Sequence, residues 1–201
     1  MEHVALVDMD GTIADYKGQM ESDLASLMSP WEVEHLEGLE ECGEYDTHIS
    51  MSLHDDDALP YMKRRLRLIK EQTDWWYNLP PLPKGIEVVD LMEELGFEIH
   101  ILTKGPYKTE TAWTEKYRWC RKHLNPDVKV TITEDKGLVY GKVLFDDYPD
   151  YMDRWLKWRP RGLGIMPLTS YNKDYKHPNV IHFDGNNMDE IKERLITARD
   201  R

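Results

Sequence analysis

The sequence has little cysteine and no long hydrophobic run. Cys42 and Cys120 are the two cysteines among 201 residues, and no Cys-x-x-Cys spacing occurs, so a disulfide framework is not expected. No apolar stretch approaches the roughly 20 residues that a membrane-spanning helix needs. The first residues also lack the basic start and apolar stretch of a signal peptide. We therefore expect a cytoplasmic protein with reduced thiols that is not bound to a membrane.

Basic residues are also few. Lys and Arg total 26 against 38 Asp and Glu, which gives a formal net charge of −12. This balance argues against a long nucleic acid as partner, since such a partner usually needs a basic face. It leaves room for a small phosphorylated substrate, because one metal ion and one or two lysines in a cleft are enough to bind it. The oligomeric state is left open, with a homodimer as one option.

Strands alternate with helices along most of the chain. A first apolar strand is predicted at 4–8, and a regular series follows the proline-rich "LPPLPKG" at 79–85. Further strands are predicted at 97–103, 128–133, 142–147, 162–166 and 179–183, with helices at 85–96, 107–124, 149–158 and 187–199. This alternation is typical of parallel β-α-β units with right-handed crossovers. We therefore expect an α/β protein with a Rossmann-like parallel sheet.

The segment between the first strand and the proline-rich boundary differs in composition. Residues 16–78 are rich in Glu, Asp, Met and Leu, with helical patterns predicted at 21–28, 31–39 and 60–78. The first strand belongs with the later ones, so this segment interrupts the α/β core. We expect a core formed by 1–15 and 79–201, with a small, mostly helical cap at 16–78.

Polar residues stand at the ends of the first four predicted strands. They are Asp8 and Asp10, Thr103, Lys136, and Asp146 with Asp147, in that order. Ligands of open α/β sheets bind beyond the carboxyl ends of the strands. If these strands are neighbours, the polar residues meet in one cleft.

Four carboxylates in one place need a cation, and hard oxygen ligands suit Mg²⁺. A carboxylate not committed to the metal can attack phosphorus, and a second can exchange protons with the leaving oxygen and with water. Lysine, threonine and the backbone amides of the "TKGP" turn at 103–106 can bind phosphoryl oxygens. The pattern therefore favours phosphoryl chemistry.

These motifs are similar to those of the haloacid dehalogenase-like (HAD) hydrolases. "DMDGT" at 8–12 resembles the first motif of that superfamily, and Thr103, Lys136 and Asp146 with Asp147 look like the second, third and fourth. All four occur in the right order and at strand ends. The resemblance covers essentially the whole chain and implies the HAD fold.

The resemblance also implies a role for each residue. Asp8 corresponds to the nucleophile that forms an aspartyl-phosphate, and Asp10 to the general acid/base, whose backbone carbonyl also binds Mg²⁺. Thr103 and Lys136 correspond to the phosphate-binding pair, and we add Lys104 from the same turn. The implied metal-site residues are Asp8, Asp10, Asp146 and Asp147.

A narrower resemblance is to the 5'(3')-deoxyribonucleotidases, carried by "LVDMDGTIADY", "ILTKGP", "EKYRWCRKHL", "TEDK" and "VLFDD". It implies release of phosphate from nucleoside monophosphates beneath a helical cap whose aromatic residues contact the base. Tyr16, Trp75 and Trp76 are the candidates for that contact. Two positions depart from the family pattern. Lys104 replaces a small hydroxyl residue, and Glu134 stands where a basic residue is common.

Other interpretations remain open. The same chemistry could act on a sugar phosphate or on a polynucleotide 3'-phosphate, and a binding protein could keep this fold without turnover. The three aromatic residues could belong to the core. Asp146 and Asp147 could cap the helix that follows them.

Overall fold

The computed structural model describes residues 3–28 and 60–201. Its strands are β1 (Val4–Val7), β2 (Glu98–Lys104), β3 (Lys129–Thr133), β4 (Val143–Phe145), β5 (Leu163–Pro167) and β6 (Val180–Phe183). Its helices are α1 (Tyr16–Ser26), α2 (Pro60–Lys70), α3 (Pro83–Glu94), α4 (Glu110–His123), α5 (Pro149–Lys157) and α6 (Met188–Asp200), with a short 3-10 helix at Lys136–Leu138. The helix predicted at 31–39 and Cys42 lie outside the described residues.

The six strands form one parallel sheet in the order β3-β2-β1-β4-β5-β6. β1 lies at the centre, with Leu6 opposite His100 of β2 on one side and Leu144 of β4 on the other. The chain order reverses at β1, so a crevice opens beyond its carboxyl end, where such sheets bind ligands. The predicted α/β, Rossmann-like parallel sheet is confirmed.

Both faces of the sheet are buried, which explains why its central strands read as unbroken apolar runs. Side chains alternate between the faces, so Ala5 and Val7 join one buried cluster with residues of α3 and α6. Leu6 joins a second cluster on the other face, where it packs with Trp155 of α5. Because both faces are covered, the carboxyl edge of the sheet is where polar groups can meet.

The described part of the insertion joins the first of these two buried clusters. Met20 and Leu24 of α1 and Leu66 and Ile69 of α2 belong to the same buried cluster as Val7. The first helix begins earlier than predicted, since Asp15 caps it and its Oδ1 accepts a hydrogen bond from the backbone N–H of Gly18 at 2.9 Å. The described residues of 16–78 therefore share the hydrophobic core of the sheet.

The helix predicted at 60–78 ends early, at Lys70. Asp74 adopts a left-handed backbone conformation with φ of 60°, which breaks the helical hydrogen-bond ladder. The backbone N–H groups of Asp74 and Trp76 are instead bound by the carboxylate of Glu115, at 3.1 Å each. Hydrogen bonds to a residue distant in the sequence thus take the place of helical hydrogen bonds at these positions.

Two findings bear on the predictions about membranes and thiols. Within residues 3–28 and 60–201, no helix is both long enough and apolar enough to span a bilayer. Cys120 is a free, buried thiol, and burial raises its pKa to about 12. This thiol is therefore protonated and poorly reactive at neutral pH.

Candidate active site

The loop after β1 is a tight turn that fixes two aspartates. The backbone N–H of Asp8 donates to the carbonyl of Phe145 at 2.8 Å, and the carbonyl of Met9 accepts from Ala14 at 2.8 Å. Gly11 has φ of 74°, and a Cβ there would collide with the carboxylate of Asp147. A side chain at Gly11 would therefore push the turn away from the end of β4, which explains the glycine of the first motif.

Three carboxylates meet at the adjacent ends of β1 and β4. Oxygen atoms of Asp8, Asp146 and Asp147 all lie within 4.8 Å of one another, and all three residues are buried. Asp146 also accepts a hydrogen bond from the backbone N–H of Tyr148 at 2.9 Å, just before α5. The predicted convergence of these acids is therefore present, while the carboxylate of Asp10 lies outside this group of three.

Lys136 reaches the same cluster from the 3-10 helix after β3. Its Nζ lies 2.7 Å from Oδ1 of Asp8 and 2.7 Å from Oδ2 of Asp146, and the side chain is only 1% exposed. Burial by itself lowers the pKa of this ammonium, but Asp146 and Asp8 outweigh burial and raise it above its ordinary value. Lys136 therefore stays charged and offsets part of the repulsion among the acids.

Two of these carboxyl groups, those of Asp146 and Asp147, have raised pKa values. Burial raises the pKa of Asp146 to about 7, against the opposing attraction of Lys136. Burial, together with Asp146 and Asp8, raises the pKa of Asp147 well above its usual range. One buried ammonium is thus too little positive charge to keep all three acids ionised. The cluster is suited to a divalent cation with a preference for oxygen ligands.

Thr103 and Lys104 end β2 beside this cluster. Thr103 is buried, whereas Lys104 is exposed, and its ammonium lies 5.6 Å from the ring centre of Tyr151. Both residues stand at the carboxyl edge of the sheet, as the sequence predicts. Their assignment to phosphate binding stays a prediction.

Lys116 of α4 is a residue of the site that is not among those predicted from the sequence. This lysine is 1% exposed and forms an ion pair with Asp10. A signal for it exists in the sequence, because Lys116 falls on the helical stripe formed by Ala112, Trp119 and Cys120, all of which are buried. A lysine in the middle of an apolar stripe indicates a buried charge with a specific partner.

Tyr171 and Asn172, in the loop after β5, are two further residues of the site that are not among those predicted. The hydroxyl of Tyr171 donates to Oδ2 of Asp147. Nδ2 of Asn172 donates to the backbone carbonyls of Asp147 and Pro167, at 2.8 Å each. Their local sequence carries no signal for this role, which depends on the position of β5 next to β4. Together they fix both the backbone and the carboxylate of Asp147.

The predicted aromatic residues pack against one another. Tyr16 stacks on Trp76 with ring centres 5.4 Å apart, and Trp75 meets Trp76 edge-on at 4.9 Å. Nε1 of Trp75 donates to Asp23 of α1 at 2.7 Å. Tyr16 and Trp76 line the cavity above the acids, and Trp75 is not among its lining residues. The structure therefore brings two of the three to the cleft.

That cavity has a volume of about 940 Å³ and extends from the carboxylates to α2. Its lining includes Asp8, Asp10, Lys136 and Asp147 at the bottom, with Tyr16, Lys70, Trp76 and Lys104 higher up. Basic residues are more numerous than acidic ones in this lining, although the chain as a whole has a net charge of −12. The cavity is therefore suited to a small anionic ligand.

Comparison with known proteins agrees with this geometry. The family model for "5' nucleotidase, deoxy (Pyrimidine), cytosolic type C protein" matches residues 2–194. A Bordetella pertussis protein provisionally named a 5'(3')-deoxyribonucleotidase is 28% identical over 171 residues, which are 84% of this chain and 85% of that protein. The human cytosolic-type 5'(3')-deoxyribonucleotidase is 27% identical over 153 residues, or 71% of this chain and 69% of that enzyme.

Solved structures with the same fold include HAD-like hydrolases. A protein of Burkholderia xenovorans, provisionally identified as a haloacid dehalogenase-like hydrolase, superposes with a TM-score of 0.56 at 14% identity and covers 97% of this chain and 98% of its own. At that identity the likeness supports the fold alone, and the family match supports the chemistry. The chain belongs to the cytosolic type C deoxy-5'-nucleotidase family, has the fold of HAD-like hydrolases, and is a phosphoric monoester hydrolase.

Proposed function

We propose that this chain hydrolyses nucleoside 5'- or 3'-monophosphates, with deoxy forms preferred, in a Mg²⁺-dependent reaction through an aspartyl-phosphate. The observation that carries the proposal is the pairing of Asp8 with the buried ammonium of Lys136 at 2.7 Å, at the bottom of the cavity. The names of the relatives, which are deoxyribonucleotidases, support the choice of substrate.

In this reaction the carboxylate of Asp8 attacks phosphorus, and the bond between phosphorus and the ester oxygen breaks. The carboxyl of Asp10 gives its proton to the departing oxygen. Burial raises the pKa of Asp10, in opposition to Lys116, which favours the protonated form that this step requires. Water then gives a proton back to Asp10 and attacks the same phosphorus, so that phosphate leaves and Asp8 is restored.

Thr103 and Lys136 are the proposed partners of the phosphoryl oxygens, with Lys104 at the rim. Mg²⁺ would be held by Asp8, Asp146, Asp147 and the backbone carbonyl of Asp10, and when bound it neutralises phosphate charge and aligns the ester for attack. The donor set fits this ion because it consists of hard oxygen ligands. The raised pKa values of Asp146 and Asp147 reflect a shortage of nearby positive charge, which the ion would supply.

We assign substrate selection to the proposed helical cap at 16–78, which interrupts the proposed core of 1–15 and 79–201 in the sequence. Tyr16 and Trp76 line the cavity and are the proposed contacts to the base. Trp75 packs edge-on against Trp76 and is proposed to support its position. An aromatic face stacks on a base with about 1–3 kcal/mol and offers less to an aliphatic phosphate.

A phosphate-release screen tests this proposal. Ribo- and deoxyribonucleoside monophosphates are compared with glucose 6-phosphate and glycerol phosphate, each with Mg²⁺ and after exhaustive chelation. We expect the highest kcat/KM with a deoxyribonucleoside monophosphate, and no turnover in the chelated samples. A higher kcat/KM with the sugar phosphates would reject the nucleotidase assignment in favour of a general phosphatase.

A further inference from the structure

The helix α4 carries two adjacent buried charges, Glu115 and Lys116, that have no assigned step in the mechanism. Their exposures are 4% and 1%. A buried charge costs free energy unless it is paired and hydrogen-bonded. The partners of these two residues therefore indicate what the pair does.

All N–H donors of the Lys116 ammonium group have acceptors within the protein. An ammonium group has three N–H donors, and three acceptors surround this one. They are Oδ2 of Asp10, Oγ1 of Thr103 at 3.1 Å and the backbone carbonyl of Lys104 at 2.7 Å. No donor is left for a substrate phosphate, so Lys116 connects the loop after β1 with the end of β2.

Asp10 is held by one carboxylate oxygen only. Oδ2 is bound to Lys116, whereas Oδ1 is buried and has no hydrogen-bond partner among the described residues. Asp10 also lines the cavity. The ion pair thus fixes the plane of the carboxyl group, and its other oxygen makes no competing hydrogen bond within the described residues.

Glu115 binds the turn that follows α2. Its Oε1 accepts from the backbone N–H of Asp74 and its Oε2 from that of Trp76, at 3.1 Å each. The same turn places the ring of Trp76 over Lys116, with Nζ 4.6 Å from the ring centre. The ring excludes water from the ammonium and adds a cation–π attraction.

We propose that Glu115 and Lys116 form a positioning pair, in which Lys116 orients Asp10 toward the leaving oxygen and Glu115 holds Trp76 over Lys116. The inference rests on the proposed phosphatase reaction. In this arrangement the position of the turn at 74–76 and the orientation of Asp10 depend on each other through two neighbouring residues of α4. A shift of the turn at 74–76 would thereby be transmitted to Asp10.

The dependence of kcat/KM on the leaving group tests this proposal. A nucleoside leaving group needs the proton of Asp10, whereas 4-nitrophenolate departs without one, and kcat/KM covers only the steps up to this departure. General acid catalysis contributes about 10²–10⁴ in rate. We expect Lys116→Met to lose about 100-fold in kcat/KM on a deoxyribonucleoside monophosphate and less than about fivefold on 4-nitrophenyl phosphate.

Lys142→Met is the matched control, because Lys142 is half-buried and, like Lys116, donates to a backbone carbonyl, that of Arg199, but does not line the cavity. The kcat/KM of this variant on each of the two substrates should stay within about twofold of the value for the unmodified protein. If Lys116→Met does not fold, Glu115→Gln replaces it in the comparison. That variant keeps the side-chain volume, and about a tenfold loss confined to the nucleotide is expected.

Equal losses on the two substrates, or no loss on either, would overturn the positioning role. The unmodified protein separates this outcome from a failure of the proposed function. If it releases no phosphate from either substrate, the phosphatase reaction itself is rejected, and the positioning proposal is rejected with it. If it is active and the variants lose activity without selectivity, only the positioning pair is rejected.

Discussion

The ammonium nitrogen of Lys136 lies 2.7 Å from Oδ1 of Asp8, and both side chains are almost completely buried. The same ammonium lies 2.7 Å from Asp146. This double contact explains how the chain tolerates aspartates so close together at the end of a buried strand. The cation compensates the repulsion that the carboxylates would otherwise suffer.

Replacing Lys136 with Met should therefore affect both stability and activity. Removal of one partner from a buried ion pair costs about 3–5 kcal/mol, so urea unfolding should show a loss of that order at pH 7. Phosphate release should fall at least about 100-fold, since a proposed phosphate ligand and the cation that offsets the charge of Asp8 are removed together. The control is Lys129→Met, because Lys129 pairs with Glu98 at an exposed position, and a change of less than about 1 kcal/mol is expected there. Similar losses in both variants would contradict the role of Lys136.

The raised pKa of Asp146 predicts an inverse pH dependence of stability in the metal-free protein. The folded state binds a proton up to a pKa of about 7, whereas the unfolded carboxyl loses it near 3.8. Folding therefore takes up a proton between these values, so this group's destabilising contribution is absent below about pH 4 and is complete above about pH 7. Asp147, shifted in the same direction, adds to the effect.

Thermal unfolding at pH 5.5 and pH 8 measures this effect. With chelator present, the contribution of the cluster should make Tm lower at pH 8, and Asp146→Asn should flatten the difference. Added Mg²⁺ should raise Tm more at pH 8 than at pH 5.5, since the ion binds the ionised acids. A Mg²⁺ effect independent of pH would contradict the assignment of these acids to the metal.

Tyr171→Phe should weaken metal binding and leave chemistry intact. The hydroxyl of Tyr171 donates to Oδ2 of Asp147, and loss of such an outer partner typically costs about 10–100-fold in metal affinity. We expect the Mg²⁺ concentration for half-maximal activity to rise about tenfold, with kcat nearly unchanged at saturation. Tyr175→Phe is the control, since its hydroxyl donates to the exposed Asp153 at 2.6 Å. An unchanged Mg²⁺ requirement in Tyr171→Phe would refute this role.

Tyr16→Ala should erode the preference for nucleotides. Tyr16 lines the cavity and stacks on Trp76, so its removal takes away one aromatic face and loosens another. We expect kcat/KM on a deoxyribonucleoside monophosphate to fall about tenfold, corresponding to the lower part of the stacking energy. Activity on 4-nitrophenyl phosphate should change less. Tyr16→Phe is the control, because it keeps the ring and should retain the preference. If Tyr16→Ala lowers kcat/KM equally on both substrates, Tyr16 has no role in substrate selection.

The sheet could be predicted from the sequence because its strands are short apolar runs separated by helices. Asp8 and Asp146 follow such runs directly, so their meeting required only that β1 and β4 be neighbours. The end of α2 was predicted too late, because the apolar pattern through Trp75 and Trp76 continues past Lys70. Glu115 binds the turn there from 39 or more positions away in the chain.

The remaining contacts of the site depend on tertiary structure. The sequence contains a signal for Lys116, which is a charge on an apolar helical stripe. It contains none for the partner, because Asp10 lies 106 residues away in the chain. Tyr171 lies in a loop without any pattern, and it reaches Asp147 only because β5 lies beside β4. The hydrophobic periodicity of the sequence indicates which side of a helix or strand is buried, but it does not indicate which residues that side contacts.

The most direct test of the account is to look for phosphate bound covalently to Asp8. The protein with Mg²⁺ is mixed with a deoxyribonucleoside monophosphate carrying labelled phosphorus, quenched in acid within the first turnover and separated from free label. We predict label on the unmodified protein that hydroxylamine releases, as expected for an acyl phosphate, and none on Asp8→Asn. Undiminished phosphate release by a folded Asp8→Asn protein, or label that persists on it, would contradict the mechanism.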